Sequence, residues 1–180
     1  MKTLLLSFIA MAATFTAYGQ DSKTLVVYYS RTGNTEAVAK HIQELTGADL
    51  FRVETVRDYP ADYRETTDVA KKELNGNARP EIKGEVAGIS EYDTIFIGFP
   101  IWWGTYPMCI ASFLDTYDLG GKTVIPFCTH GGGGADKGFT DVERETPGAT
   151  NKKGLSLSGS RADQSRAEIE RWLKEIGVMK

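Results

Sequence analysis

The chain has 180 residues, of which 41% are hydrophobic and 25% are charged, and its formal net charge at pH 7 is −3. This length suits one domain with a hydrophobic core, and the apolar content argues against a disordered chain. The mild acidity argues against nucleic acid as a partner, because binding to a phosphate backbone depends on clustered Lys and Arg side chains.

The N-terminus has the pattern of a secretory signal peptide. Met1 and Lys2 form a short basic start, residues 4–13 are apolar, and Ala17-Tyr18-Gly19 places small residues before a cut after Gly19. The apolar run is shorter than the roughly 20 residues that span a bilayer, so we expect no membrane insertion of the mature chain. We expect residues 1–19 to be a signal peptide and residues 20–180 to be one exported domain, periplasmic or secreted. A buried N-terminal strand or helix is the alternative.

Short apolar segments alternate with amphipathic ones along the rest of the chain. Apolar or alternating runs predict five strands, at Leu25–Tyr29, Asp49–Glu54, Thr94–Gly98, Val124–Cys128 and Leu155–Ser158. Helical periodicity predicts five helices, at Asn34–Thr46, Arg64–Leu74, Pro107–Tyr117, Lys137–Arg144 and about Ala162–Ile176. Pro126 indicates either a bulge or a weaker fourth strand, and Ser160 with Asp163 predicts a capping box for the last helix.

This alternation predicts an α/β protein with an open parallel sheet and helices on both faces. In such sheets, ligands bind beyond the carboxyl ends of the strands, where the strand order reverses. The loops that follow strands one, three and four are therefore the candidates for a binding site.

Cys109 and Cys128 both lie in apolar surroundings, which favours two buried free thiols. A disulfide between them is the alternative, since an exported protein meets an oxidising compartment. We expect no metal site, because no group of His and Cys residues has the spacing of metal ligands.

The first candidate loop joins strand one to helix one and reads Ser30-Arg31-Thr32-Gly33-Asn34-Thr35. Its hydroxyl groups, its glycine and the N-terminus of the helix together suit a phosphate group. The loop lacks the Gly-Lys-Ser/Thr ending of a nucleotide P-loop and the Gly-x-Gly-x-x-Gly pattern of dinucleotide sites. An ordinary Ser/Thr helix cap is the alternative.

The second candidate loop contains Pro100, Ile101, Trp102, Trp103 and Gly104. Two adjacent Trp residues at the edge where ligands bind could stack on a planar heteroaromatic ring. The alternatives are that these Trp residues cover the core or form a dimer contact.

The third candidate loop contains Thr129, His130, Gly131, Gly132 and Gly133, followed by a fourth glycine. Consecutive glycines let the backbone approach a ligand closely. His130 can change charge near neutral pH and could donate a hydrogen bond to a bound ligand. A flexible loop with a solvent-facing His is the alternative.

Taken together, the three loops resemble those of the flavodoxins, particularly of bacterial flavodoxin-like proteins with the sequence Pro-x-Trp-Trp-Gly-Thr after strand three. The resemblance implies a doubly wound five-stranded parallel sheet in the order 2-1-3-4-5 and a bound FMN. It implies that the first loop holds the FMN phosphate, that residues 100–104 face the isoalloxazine ring, and that residues 129–133 line the other edge of the ring. Three features depart from the electron-carrying flavodoxins, the first being the mild net charge, which falls short of their usual strong acidity. Arg31 adds a cation beside the phosphate, and the third loop lacks acidic and aromatic residues.

The resemblance implies electron transfer, or reduction of a small acceptor such as a quinone. The flavin would carry the redox chemistry, so no catalytic side chain is expected. Its partner would be a redox protein or a small-molecule acceptor, with NAD(P)H as a candidate donor. The alternative is a non-enzymatic or FMN-free protein that uses the same pocket for another phosphorylated or aromatic ligand.

Overall fold

The computed structural model describes residues 23–180, and the predicted signal peptide lies outside the described residues. Six strands form one parallel sheet: β1 (Lys23–Tyr28), β2 (Asp49–Arg52), β3 (Tyr92–Pro100), β4 (Thr123–His130), β5 (Thr150–Asn151) and β6 (Leu155–Ser158). Their order is β2-β1-β3-β4, and β5 and β6 both pair with β4. The predicted order 2-1-3-4-5 is confirmed, with the fifth position shared by two short strands.

Residues 23–180 form five α-helices, of which the first four connect strands and the fifth follows β6: α1 (Asn34–Thr46), α2 (Tyr63–Asn75), α3 (Met108–Thr116), α4 (Gly138–Glu145) and α5 (Arg166–Glu175). The observed α1 has the bounds that the sequence predicts. Gly47 ends this helix in a left-handed conformation with φ 72°, which glycine adopts without steric penalty.

Two layers of buried side chains enclose the sheet, one on each face. Ile95 and Ile97 of β3 pack in the layer that includes α3 and α4, whereas Phe96 packs in the layer of α1 and α5. Successive side chains of a strand point to opposite faces of the sheet, so neighbouring residues of β3 pack in different layers. Residues 95–97 are all apolar because helices cover both faces. The predicted helices on both faces are confirmed.

Pro126 causes no bulge, so that expectation was wrong. The β3–β4 register runs without a shift through the Ile97–Pro126 pair. On the other side of β4, β5 pairs with residues 123–124 and β6 with residues 127–130, so Pro126 lies opposite the break between them. The carbonyl of Val124 faces that side and accepts a hydrogen bond from the backbone N–H of Lys152. Backbone groups two residues apart point to the same side of a strand, so an N–H at position 126 would point to the side of β5 and β6, as the carbonyl of Val124 does. At the break between those two strands it would have no partner, so a proline there loses no sheet hydrogen bond.

The predicted start of the last helix was also wrong. Residues Gly159–Gln164 form a 3₁₀ helix, and α5 begins only at Arg166. Ser160 forms no capping box, because its hydroxyl lies 3.0 Å from that of Ser158. The Ser165 hydroxyl donates to the carbonyl of Ala162, within the 3₁₀ segment. The tighter 3₁₀ turn therefore comes first and places residues 159–160 beside the end of β6.

Cys109 and Cys128 are both buried and free, as the sequence favoured. Within residues 23–180, no group of three or more His, Cys, Asp or Glu side chains could hold a metal ion. No helix in the same part of the chain is long and apolar enough to cross a membrane.

Candidate functional site

A cleft of about 750 Å³ opens at the carboxyl ends of β1, β3, β4 and β6. This volume lies within the range of about 300–1,000 Å³ that is usual for small-molecule sites. Most of the predicted site residues line the cleft: Ser30, Arg31, Thr32, Asn34, Thr35, Pro100, Ile101, Trp102, Trp103, Thr129, His130 and Gly131. The fold thus brings all three candidate loops to one cavity.

Four predicted residues do not line the cleft: Gly33, Gly104, Gly132 and Gly133. Gly33 and Gly104 have φ angles of 89° and 81°, and so they shape the loops whose neighbours reach the cavity. Gly132 and Gly133 are exposed in the segment that leads from the cleft to α4.

The polar end of the cleft lies between β1 and α1. Gly33 is the N-cap of α1 and offers no side-chain cap, so the first N–H groups of the helix lack an acceptor among residues 23–180. The Ser30 side chain is 3% exposed, and its Oγ is one of two buried side-chain polar atoms without a hydrogen-bond partner in the described part of the chain. Free N–H groups and an unpaired hydroxyl at a helix N-terminus are groups that suit an anion.

Hydrogen bonds tie the three loops to one another. The hydroxyls of Thr35 and Thr129 are 2.8 Å apart and buried, which joins the first loop to the third. The backbone N–H of Ile101 donates to the carbonyl of Thr129 at 2.8 Å, which joins the second loop to the third. These hydrogen bonds fix the positions of the three loops relative to one another.

Arg31 points away from the anion-binding end. Its Nη2 donates to the carbonyls of Ala61 and Pro60, at 2.5 and 3.4 Å. Arg31 therefore fastens the segment before α2 to the first loop. Behind the loop, Arg52 donates to the carbonyl of Ser30 at 3.1 Å and to Glu36 at 2.8 Å.

The second loop contains a two-residue hairpin turn. Trp102 and Thr105 exchange backbone hydrogen bonds of 2.8 and 3.1 Å, and Trp103 and Gly104 between them have φ angles of 52° and 81°. Two positive φ angles define a type I′ turn, in which Asn and Gly are the usual residues. A Trp in this conformation is an outlier and fixes where the indole points. The carbonyl of Gly104 accepts a hydrogen bond of 3.0 Å from the N–H of Lys137.

The turn sends the two Trp side chains to different partners. Trp102 packs edge-on against Tyr29 and Tyr59, with ring centroids 5.5 and 5.1 Å away. Trp103 is 50% exposed and lies on α2, where its Nε1 donates to the carbonyl of Thr67 at 3.0 Å. The Lys71 ammonium lies 4.7 Å from the centre of the Trp103 ring.

Helix α2 forms a wall of the cleft that the sequence did not predict. Tyr63, Thr66, Thr67 and Ala70 line it, at the i, i+3, i+4, i+7 spacing of one helix face. The hydroxyl of Thr66 donates to the carbonyls of Pro60 and Asp62, and that of Thr67 donates to the carbonyl of Arg64. Because both hydroxyls are bound to backbone groups, this wall offers mainly apolar surface to a ligand.

Residues 158–160, directly after β6, also line the cleft and were not predicted. A Cβ at Gly159 would lie 2.7 Å from Nδ2 of Asn34, so a larger residue there would displace the Asn34 side chain. The signal that could have found this segment is topological, because it follows a strand at the same edge of the sheet.

His130 accepts a hydrogen bond at Nδ1 from the backbone N–H of Gly132, at 2.9 Å. The neutral ring therefore carries its proton on Nε2, which can serve as a donor. His130 lines the cleft, so its imidazole offers one N–H donor to a ligand near the third loop.

The fold and the cleft define a doubly wound α/β protein in which an uncapped helix N-terminus faces a cleft at the switch point of the sheet. The sequence profile of the flavodoxins matches residues 23–176. Because that match covers most of the chain, the protein belongs to the flavodoxin family. No curated protein matches the chain.

Solved structures agree with this assignment. A Bacteroides eggerthii protein provisionally assigned as a flavoprotein is 34% identical, with a TM-score of 0.76 over 87% of this chain and 98% of that one. A Lactobacillus acidophilus flavoprotein, solved in complex with FMN, is 29% identical, with a TM-score of 0.67 over 79% of this chain and 97% of that one. An NADH:FMN oxidoreductase is 16% identical with a TM-score of 0.52 over 87% of this chain and 91% of that one, and shares the fold alone.

Proposed function

We propose that the cleft binds FMN and that the protein acts in electron transfer or as a reductase of a small acceptor such as a quinone. One observation supports this most strongly: the cleft has an anion-binding site at one end and an aromatic and methyl-rich surface at the other. FMN has the same two chemical ends, a phosphate and a flat ring system. The FMN complex of the Lactobacillus acidophilus flavoprotein adds family-level support.

The residues of the cleft fit FMN in detail. The unpaired Oγ of buried Ser30 and the free N–H groups at the start of α1 suit the phosphate, and Thr32 and Asn34 are exposed beside them. Thr35 reaches the same place while bonded to Thr129.

Residues 100–103, with the α2 wall, would face the ring, and residues 129–131 would line its other edge. Bound flavin supplies the redox chemistry, whereas these residues bind it, orient it and exclude water. The Nε2–H of His130 would hold a proton at one edge of the site.

The place and partner of the reaction are part of the proposal. The signal-peptide pattern of residues 1–19 favours export to the periplasm or secretion. A chain that is exported unfolded has to acquire FMN after translocation. We propose that it exchanges electrons with a redox protein or a small-molecule acceptor, with NAD(P)H as a candidate donor.

A titration of the purified protein with FMN tests the proposal. A perturbed flavin absorbance spectrum and quenched flavin fluorescence are expected. Failure to observe either would refute FMN binding and favour the alternative of a binding protein for another phosphorylated or aromatic ligand. Steady-state assays with NADH or NADPH and a quinone then separate a reductase from an electron carrier.

A double variant tests the phosphate end. Charge-assisted hydrogen bonds contribute about 1.5–3 kcal/mol each. Thr32→Ala combined with Thr35→Ala should therefore weaken FMN binding by a few kcal/mol. Thr140→Ala is a matched control, because this threonine lies in α4 outside the cleft and its hydroxyl donates to the carbonyl of Lys137. Wild-type affinity in the double variant would contradict the assignment of the phosphate site.

A further inference from the structure

Tyr59 joins the second loop to helix α2 but does not line the large cleft. Its ring packs edge-on against Trp102, with centroids 5.1 Å apart and planes at 89°. It also packs against Tyr29, at 5.7 Å and 64°. Trp102 and Tyr29 are themselves edge-on at 5.5 Å. The three rings therefore brace one another, and the Trp102 indole cannot reorient unless Tyr59 moves.

The Tyr59 hydroxyl anchors this cluster to α2. It donates a hydrogen bond of 2.7 Å to Oε2 of Glu73. Glu73 lies one turn beyond Ala70, the last residue of the apolar wall. Both Trp side chains are thus tied to α2, Trp103 directly through the carbonyl of Thr67 and Trp102 through Tyr59.

Few titratable groups face this bond. Cys109 of α3 is fully buried, and desolvation raises the pKa of its thiol, so it is neutral at physiological pH. Burial likewise raises the pKa values of Tyr29 and Tyr59. Burial also raises the pKa of Glu73, and the hydrogen bond from Tyr59 opposes that shift. The thiol and the two phenols therefore stay neutral, and Glu73 is the group of this cluster whose charge changes as the pH falls.

We propose that Tyr59 and Glu73 are positioning residues, which hold Trp102 and α2 in one arrangement so that the ring-binding end of the cleft is formed before the ligand enters. The inference rests on the proposed function, because it assumes that a flavin ring occupies this end. The benefit is preorganisation: a side chain that is already fixed loses little conformational entropy on binding.

The pH dependence follows from the same contacts. A carboxylate accepts a stronger hydrogen bond than a carboxylic acid does. Protonation of Glu73 therefore weakens the hold on Tyr59 and lowers flavin affinity as the pH falls through the Glu73 pKa.

Stability changes in the opposite direction. Because the folded pKa is raised, Glu73 binds a proton more tightly in the folded protein, so its contribution to stability is lost as pH rises from the ordinary carboxyl range through the folded pKa. The two effects have separate causes: burial of the carboxyl lowers stability at high pH, and loss of the charged acceptor for Tyr59 weakens the hold at low pH.

Two variants and a matched control test the inference. Tyr59→Phe keeps the ring contacts and removes the hydroxyl, whereas Glu73→Gln keeps an acceptor and removes the titration. Tyr92→Phe is the control, because Tyr92 donates at 2.8 Å to Asp49 in a similar pair at the opposite end of β3. The measurements are the tryptophan bands in the near-ultraviolet circular dichroism of the ligand-free protein, FMN affinity, and quenching of flavin fluorescence across pH. The tryptophan bands lie at longer wavelengths than tyrosine absorbs, so they report on Trp102 and not on the loss of a tyrosine chromophore.

We expect Tyr59→Phe to change the tryptophan bands of the dichroism and to weaken FMN binding roughly two- to tenfold, the effect of leaving one side chain to be ordered on binding. Glu73→Gln should remove the acid-side loss of FMN affinity, and Tyr92→Phe should behave as wild type. Wild-type dichroism, affinity and pH profile in Tyr59→Phe and Glu73→Gln would overturn the inference while FMN binding stood.

If no form of the protein bound FMN, the proposed function would fail and the dichroism would still decide the positioning role. Changed tryptophan bands in Tyr59→Phe would support the hold on Trp102, and unchanged ones would refute it. If Tyr59→Phe did not fold, the pH profile of Glu73→Gln would make the same distinction.

Discussion

Ser30→Ala should make the ligand-free protein more stable and the FMN complex weaker. The Ser30 side chain is 3% exposed, and its Oγ has no hydrogen-bond partner among residues 23–180. A buried polar group without a partner destabilises a protein by about 1–3 kcal/mol. Removing that hydroxyl should raise the free energy of unfolding by up to this amount. For a chain of this size, each kcal/mol corresponds to about 2–4 °C in Tm.

The same change removes a donor to the phosphate. A hydrogen bond to a charged group contributes about 1.5–3 kcal/mol, so FMN affinity should fall about tenfold to 150-fold. Thermal or urea unfolding of the ligand-free protein measures the first effect, and fluorescence titration with FMN measures the second. Opposite signs are the signature of a side chain kept for binding rather than for stability.

Ser112→Ala is the matched control. Ser112 is also buried, at 7% exposed, but its Oγ donates to the carbonyls of Pro80 and Met108. Its loss should lower stability by about 1 kcal/mol and leave FMN affinity unchanged. If Ser30→Ala lowered the stability of the ligand-free protein as Ser112→Ala does, and bound FMN like wild type, then Ser30 would be an ordinary structural serine and the phosphate assignment would be wrong.

Two further predictions concern the framework of the site. Gly98→Ala should destabilise the fold by about 1–3 kcal/mol or more in urea unfolding, because its Cβ would lie 2.1 Å from the Phe127 ring. Gly131→Ala should leave stability unchanged, because a Cβ there meets open space, and equal effects of the two variants would contradict this account. Thr35→Val and Thr129→Val should each leave the hydroxyl of the other threonine buried and unpaired. The double variant should therefore lose less stability than the sum of the two single variants. Strict additivity would show that the hydrogen bond between the two threonines contributes nothing.

Much of the fold was predictable because its signals are local. Buried strands such as β3 are continuous apolar runs, and Gly47 marks the end of α1 within its own turn. The three loops were also recognisable, since hydroxyls beside Gly33, paired Trp residues and consecutive glycines are unusual wherever they occur. Pro126 was misjudged because its effect depends on the break between β5 and β6 in the neighbouring position of the sheet.

The sequence alone determined the α/β class, the order of elements and the loops that bear the chemistry, because each depends on residues close together in the chain. Only the tertiary structure decided what surrounds the cleft. The α2 wall is part of the site because Trp103 lies against Thr67, thirty-six residues away. Ser30 stands out because its hydroxyl is buried from water and has no hydrogen-bond partner in the described part of the chain. Burial and pairing depend on what distant segments bring to the same place, and no local pattern contains that information.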